Sequence, residues 1–162
     1  MNASSSETDD ENAEALVNAL LTASRLLVAV SARSLAAVEE ALTLPQFRML
    51  VVLHSRGPLS LSMLAAELDV QPSTAMRMID RLVTVNMVSR GSVPTDRRTS
   101  LISLTDAGRS TVVETTQRRR KEIARIVDTM PTSRRRGLLK ALQAFTEAGS
   151  EPSVRNGAPL GW

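Results

Sequence analysis

Apolar residues near the start of the chain recur at alternating steps of four and three positions. These positions are Leu16, Leu20, Ala23, Leu27 and Val30. The spacing is typical of a helix whose apolar seam packs on a partner, from the same chain or from another copy, and it predicts a long helix over residues 11–41. Residues 1–10 are small, polar and acidic, so they bury too little apolar surface to offset chain entropy, and we expect a disordered acidic tail there.

A second helix is predicted to start with a capping box. The segment Thr43–Gln46 pairs a threonine cap with a glutamine three residues later, and it carries a proline in the first turn. Apolar residues follow at helical spacing until Gly57 and Pro58, which end helices. The pattern therefore predicts a helix that stops at Arg56.

Two short helices that meet at a tight turn are predicted next. Residues 59–61 favour a short extended piece, and Ser62 is a candidate cap for a helix over residues 63–68. Pro72 disfavours helix in the residue before it and is tolerated at a first helical position. It therefore predicts a new helix over residues 72–85.

This helix separates a polar face from an apolar one. At 100° per residue, the polar face consists of Ser73, Thr74, Arg77 and Arg81, and the opposite side consists of Ala75, Ile79, Leu82 and Asn86. Arg77 is long enough to donate two hydrogen bonds to guanine, whereas Arg81 would touch phosphate or pair with Asp80. The alternative is that the serine and threonine only cap the helix and the arginines form a solvated face.

A β-hairpin with a basic tip is predicted after this helix. Residues 87–90 and 101–104 favour strands, and a turn-rich segment connects them. The segment carries Asp96, Arg97 and Arg98. An extended arginine at such a tip can enter a minor groove, held by the acid. A solvated charge cluster on a turn is the alternative.

Two further helices and a tail complete the chain. Thr105 and Asp106 predict the start of a long helix to about Met130, and Pro131 precedes a last helix. Residues 149–162 are expected to be a flexible tail. The basic runs at residues 118–121 and 134–136 spread around their helices, which favours solvated faces over phosphate contacts.

Composition narrows the class of protein. With 43% hydrophobic residues and 2% aromatic residues in 162, the chain fits one mostly helical domain with an aliphatic core. After an acidic start, the remainder holds 20 bases against 12 acids, a balance of +8, which suits an anionic partner.

The side chains that most chemistry requires are scarce. Without cysteine and with one histidine, His54, the chain offers little for a metal site, a thiol switch or acid–base catalysis. We therefore expect no enzyme, no cofactor and no metal. Polar residues interrupt the most apolar stretch, so we expect a cytoplasmic protein with no membrane partner.

The order of helices followed by a hairpin is the order that a winged helix-turn-helix requires. Several segments resemble the signature of the MarR family of transcriptional regulators over about residues 40–110. They are Leu64-Ala65 ending in Val70, Pro72-Ser73-Thr74 with Arg77, Asp80-Arg81-Leu82-Val83, Asp96-Arg97-Arg98 and Leu104-Thr105-Asp106-Ala107-Gly108. The sequence departs from the family at Gln71 and Met76, which leaves base preference there open, and at Asn86, where many relatives carry glycine.

The resemblance implies a homodimer built by the first and last helices, with a recognition helix in the major groove. It assigns base contacts to Ser73, Thr74 and Arg77, minor-groove contact to Arg98 oriented by Asp96, and phosphate contact to Arg97; Gln71 and Arg81 complete the expected DNA-binding set. Relatives also bind small anionic or aromatic ligands in a cleft. Phe47, Arg48 and His54 lie on the helix beside such a cleft, although we expect Phe47 in the core and the other two on the surface.

The sequence thus predicts a homodimeric repressor that binds double-stranded DNA at a pseudo-palindromic operator, with release by a small effector as a further hypothesis. The alternative is a helical protein-interaction module with a basic surface. The predicted organisation is a tail (1–10), a dimerisation helix (11–41), a DNA-binding lobe (42–104), C-terminal dimerisation helices (105–148) and a second tail (149–162).

Overall fold

The structure, a computed structural model, describes the backbone of residues 3–38, 42–93 and 96–149, and the side chains of residues 11–38, 42–91 and 100–149. The elements are α1 (Ala3–Ala36), α2 (Leu44–Arg56), β1 (Leu59–Ser60), α3 (Leu61–Leu68), α4 (Pro72–Thr84), β2 (Val88–Val93), β3 (Asp96–Leu104), α5 (Asp106–Thr129) and α6 (Thr132–Ala148). This order confirms the predicted mostly helical fold with a helix-turn-helix and a β-hairpin wing.

The first helix differs from its prediction at both ends. It begins at Ala3 and ends at Ala36, so residues 3–10, expected to be disordered, are helical. Extending a helix that already exists needs no new nucleation. Residues 39–41, predicted as the end of this helix, lie outside the described residues.

The predicted capping box at the start of α2 is confirmed. The Thr43 hydroxyl accepts a hydrogen bond from the Gln46 amide at 3.3 Å, and the Gln46 side chain accepts one from the Thr43 amide at 2.9 Å. At the other end, Gly57 adopts a φ of 82°, a conformation that glycine reaches at little cost. These two signals fix the length of α2.

The start of α3 corrects one prediction, because Ser60 and not Ser62 caps this helix. Ser60 has extended backbone angles, and its hydroxyl accepts a hydrogen bond from the Met63 amide at 3.4 Å. β1 is only two residues long, so the helix begins at Leu61, two residues earlier than the pattern predicts. The Ser62 hydroxyl instead lies 3.1 Å from the Ser60 hydroxyl.

The three strands form one antiparallel sheet in the order β1-β3-β2. Leu59 pairs with Ile102 and Val88 with Leu104, and an irregularity follows Ser92. The hairpin strands extend further than the predicted 87–90 and 101–104, because pairing continues to Val93 opposite Asp96. The wing is therefore longer than the sequence pattern indicates.

The core lies between α2, α3, α4, the sheet and the first half of α5. Its largest fully buried side chains include Phe47, Met49, Leu50, Leu64, Ile79, Leu82, Val88 and Val112. A Cβ at Gly108 would lie 2.0 Å from the Met87 carbonyl oxygen, so only glycine allows α5 to approach the turn before β2 this closely. The core thus fixes both α4 and the base of the wing.

Large apolar side chains remain exposed on α1 and α6. They are Leu16, Val17, Leu21, Leu26, Leu27 and Val28 on α1, and Leu138, Leu139, Leu142 and Phe145 on α6. Among the described residues, Glu11–Ala36 is also long and apolar enough, by length and composition, to cross a membrane. These two helices therefore present an apolar surface that the described part of the chain does not cover.

Candidate nucleic-acid interface

The predicted division of α4 into two faces is confirmed by its burial. Ala75, Ile79 and Leu82 are buried in the core, because their spacing places them on one side of the helix. The residues that we call the polar face of α4, Ser73, Thr74, Arg77 and Arg81, are all exposed. The polar face is therefore available to a partner along the whole helix.

The start of α4 is also open to a partner. Gln71 has extended backbone angles and makes no capping hydrogen bond with its side chain, while its carbonyl oxygen accepts from the Thr74 amide at 2.9 Å. Pro72 occupies the first turn. A helix start of this kind directs amide groups and a partial positive charge outward, which favours a phosphate.

The two arginines of the polar face have different surroundings. The Arg77 Nε lies 3.4 Å from the Ser73 carbonyl oxygen, a long contact that leaves the guanidinium on the helix surface. The suggested pairing of Arg81 with Asp80 is not found, because Asp80 forms its ion pair with Arg90 on β2. Sequence reasoning missed Arg90, since one arginine in a strand-forming segment gives no signal of a partner ten residues away.

The backbone of Asp96, Arg97 and Arg98 forms the beginning of β3, next to the tip of the wing. The side chains of residues 92–99 lie outside the described residues. The roles assigned to these three residues therefore remain predictions.

A cavity of about 730 Å³ lies between α1, α2, α4 and α6. Most of its lining is apolar, and two arginines, Arg48 and Arg119, reach it from α2 and α5. Burial lowers the pKa of Arg119 from its ordinary value, although an arginine keeps its charge at neutral pH. Met78, next to Arg77, also lines this cavity, so the cavity extends to α4.

The three residues expected on α2 are placed as follows. Phe47 is fully buried in the core and Arg48 is exposed, as predicted. His54 is half-buried where surface exposure was expected. Desolvation, followed by the nearby positive charge of Arg109, lowers the pKa of His54; the sequence could not show that the end of α2 packs against α5.

The basic runs are only partly solvated. Arg118 pairs with Glu114 at 3.3 Å on the same helix, while Arg119 turns toward the cavity. Arg135 donates to the carbonyl oxygens of Met130 at 3.2 Å and Asp128 at 2.9 Å. Arg135 thereby caps the end of α5, which is where a cation favours the helix dipole.

Within the described ranges, no group of three histidine, aspartate or glutamate side chains could hold a metal ion. The geometry instead consists of a helix-turn-helix, an exposed polar face on α4 and an antiparallel wing. This combination defines the chain as a winged helix-turn-helix protein.

Comparison with known proteins agrees with this class. The family model described as "MarR family" matches residues 42–100. The crystal structure of RV1404 from Mycobacterium tuberculosis is 53% identical in sequence, with a TM-score of 0.79, over 88% of this chain and 97% of that chain.

Two curated relatives from Bacillus subtilis (strain 168) are also similar. The uncharacterized HTH-type transcriptional regulator YhbI is 28% identical over 116 residues, which are 72% of this chain and 75% of the relative. The HTH-type transcriptional repressor MdtR is 36% identical over 70 residues, 43% of this chain and 45% of the relative. Residues 42–100 therefore belong to the MarR family of transcription regulators.

Proposed function

We propose that this protein is a cytoplasmic, homodimeric repressor that binds a pseudo-palindromic operator in double-stranded DNA. The observation that carries the proposal is the division of α4, with three apolar residues buried and Ser73, Thr74, Arg77 and Arg81 exposed. A helix fixed by its apolar side and open on its polar side suits insertion into a major groove. The similarity to MdtR, named as a repressor, supports the direction of regulation.

The proposal also assigns a DNA contact to each predicted residue. In the proposal, Ser73, Thr74 and Arg77 contact base edges, while Gln71 and Arg81 contact the backbone at the two ends of the face. At the wing, Arg98 enters the minor groove, Asp96 orients it, and Arg97 contacts phosphate. Arginine suits both positions because its planar guanidinium binds guanine at two points and is attracted to a narrow minor groove.

The proposed dimer uses the part of the exposed apolar surface of α1 and α6 that does not line the cavity. Its residues include Leu16, Val17, Leu21, Leu138 and Leu139. Leu21 and Leu139 are each more than half exposed, and an apolar surface of this extent on a monomer favours association. A second copy, and not a membrane, is the proposed cover, because the same surface continues on α6, outside the span-like segment. Residues 11–41 and 105–148 then form the dimerisation region, and 42–104 form the DNA-binding lobe.

The cavity is the proposed site of a small effector. A volume of about 730 Å³ is within the range of ligand pockets, and two arginines in an apolar lining favour a small amphiphilic anion. Because Met78 on α4 lines the same cavity, a ligand can favour one orientation of α4 over another. Release from DNA follows if the bound orientation fits the operator less well.

The test is selection of bound duplexes from a random pool by the full-length protein. We expect a consensus made of two inverted half-sites separated by roughly one helical turn, because a two-fold dimer presents two copies of α4. Failure to enrich any sequence would contradict sequence-specific binding and would favour the alternative of a protein-interaction module. Enrichment of a single, asymmetric site would contradict only the dimeric arrangement.

A further inference from the structure

The side-chain pair Asp80–Arg90 connects the recognition helix to the wing. The Arg90 guanidinium donates a hydrogen bond to the Asp80 carboxylate, one residue being on α4 and the other on β2. Below this pair, the two elements are already joined by a short turn, where the Met87 amide donates to the Leu82 carbonyl oxygen at 2.8 Å and Asn86 has a φ of 57°. The ion pair thus adds a second connection farther toward the wing.

This pair is too exposed to contribute much to folding. The side chains of Arg90 and Asp80 are 44% and 57% exposed, and exposed ion pairs typically contribute between zero and about 1 kcal/mol. Stability is therefore a poor explanation of the contact. We therefore look for its effect in the surface formed by the polar face of α4 and the adjacent wing.

Asp80 places a negative charge at the edge of the polar face of α4. Asp80 is the one acidic residue between Pro72 and Thr84, and it lies roughly 60° from Arg77 around the helix axis. A carboxylate at the edge of a surface that must approach phosphates opposes binding. Pairing with Arg90 neutralises this charge and at the same time holds β2 against the edge of the polar face.

We propose that Asp80 and Arg90 are positioning residues that set the distance between the recognition helix and the wing, so that both can occupy adjacent grooves of one operator. The inference rests on the proposed function. The inference goes beyond the proposed function in two ways. Neither residue needs to touch a base, and an acid is required on a surface where positive charge would otherwise be favoured.

The test is a double-mutant cycle with Asp80→Asn, Arg90→Gln and the combined variant. Each is titrated with the selected duplex and with a scrambled duplex of equal length. We expect each single variant to lower the ratio of specific to non-specific affinity by roughly tenfold, and the combined variant to lose no more than either single variant. In footprinting, protection of the minor groove under the wing should weaken in all three variants.

The Asp80→Asn variant separates positioning from simple electrostatics. It removes a negative charge near DNA, so a purely electrostatic role predicts tighter binding to both duplexes, whereas positioning predicts weaker binding to the selected duplex alone. Arg56→Gln is the matched control, because Arg56 forms an exposed ion pair with Glu67 at 3.1 Å that does not join α4 to the wing. All variants should keep the thermal midpoint of this control.

Tighter binding by Asp80→Asn, or additive losses in the cycle, would overturn the positioning role while the proposed function stands. If the unmodified protein does not prefer the selected duplex, the proposed function fails and this inference fails with it. The titration of the unmodified protein therefore distinguishes the two failures.

Discussion

At the scale of single residues, the structure explains side chains whose sequence patterns were ambiguous. Arg135 lies in a run of three arginines at a helix start, where positive charge is unfavourable, yet it caps the preceding helix through two carbonyl oxygens. His54 lies on a helical pattern that fits either surface or core, and it is half-buried beside α5. Such roles depend on contacts between elements, which the spacing of residues along the chain does not encode.

The burial of His54 predicts a pH dependence of stability. Because desolvation and then Arg109 lower its pKa in the folded state, the unfolded chain binds a proton more readily. The stabilising contribution is present above the ordinary histidine pKa and is lost as the pH falls through it toward the lower folded value. Urea unfolding should therefore show a loss of stability on mild acidification that is smaller in His54→Gln.

A direct check is available because the chain has one histidine. A proton NMR titration of the folded protein should give a pKa below the ordinary histidine value. A pKa at or above that value, or identical pH profiles of unfolding for the two proteins, would contradict this account.

At the scale of elements, local signals predicted most starts and ends of helices. The capping box before α2, the threonine before α5 and the glycine after α2 are found where expected, with Thr105 accepting from the Gly108 amide at 3.0 Å. The cap of α3 was assigned to the wrong serine, because two serines two residues apart offer the same hydroxyl and only β1 decides between them. The helical start of α1 was missed because composition says little about how far an existing helix extends.

Substitution of two helical glycines by alanine should change stability in opposite directions, because only one of them lies at the junction between α5 and the base of the wing. Gly108→Ala should destabilise the fold by about 2 kcal/mol, since its Cβ would lie 2.0 Å from the Met87 carbonyl oxygen. Gly137→Ala on α6, with nothing within 4 Å of the added Cβ, should stabilise by up to about 1 kcal/mol. Chemical denaturation measures both, and equal effects would show that the close approach is not required.

At the scale of the whole molecule, the sequence predicted the order of elements, the two faces of α4 and the hairpin, because each depends on local periodicity. The lining of the cavity could not be predicted, because it joins residues from elements distant in the chain. The Asp80–Arg90 pair could not be predicted either, because it depends on how β2 is oriented against α4. The seam on α1 is predicted to pack on a partner, and within the described part of the chain its residues are exposed except Leu20, which is partly buried, and Val30, which is buried.

The proposed dimer predicts a change of mass upon single substitutions. Leu139→Glu places a charge on the exposed apolar surface of α6, and burying an unpaired charge in an interface is strongly unfavourable. Sedimentation analysis without detergent should show a dimer for the unmodified protein and a monomer for this variant. Met63→Glu, at an equally exposed residue on α3, should remain dimeric, and a monomeric unmodified protein would contradict the proposal.

The central claim is that the polar face of α4 recognises base pairs, and Arg77 tests it most directly. Affinities for the selected duplex and for single base-pair variants of it should be measured for the unmodified protein, for Arg77→Ala and for Arg125→Ala. Arg125 is an exposed residue on α5, so its removal changes the net charge equally. We predict that Arg77→Ala loses roughly 1–3 kcal/mol of discrimination at one base pair in each half-site, whereas the Arg125 control keeps full discrimination. Equal, sequence-independent losses in both variants would contradict base recognition by this face.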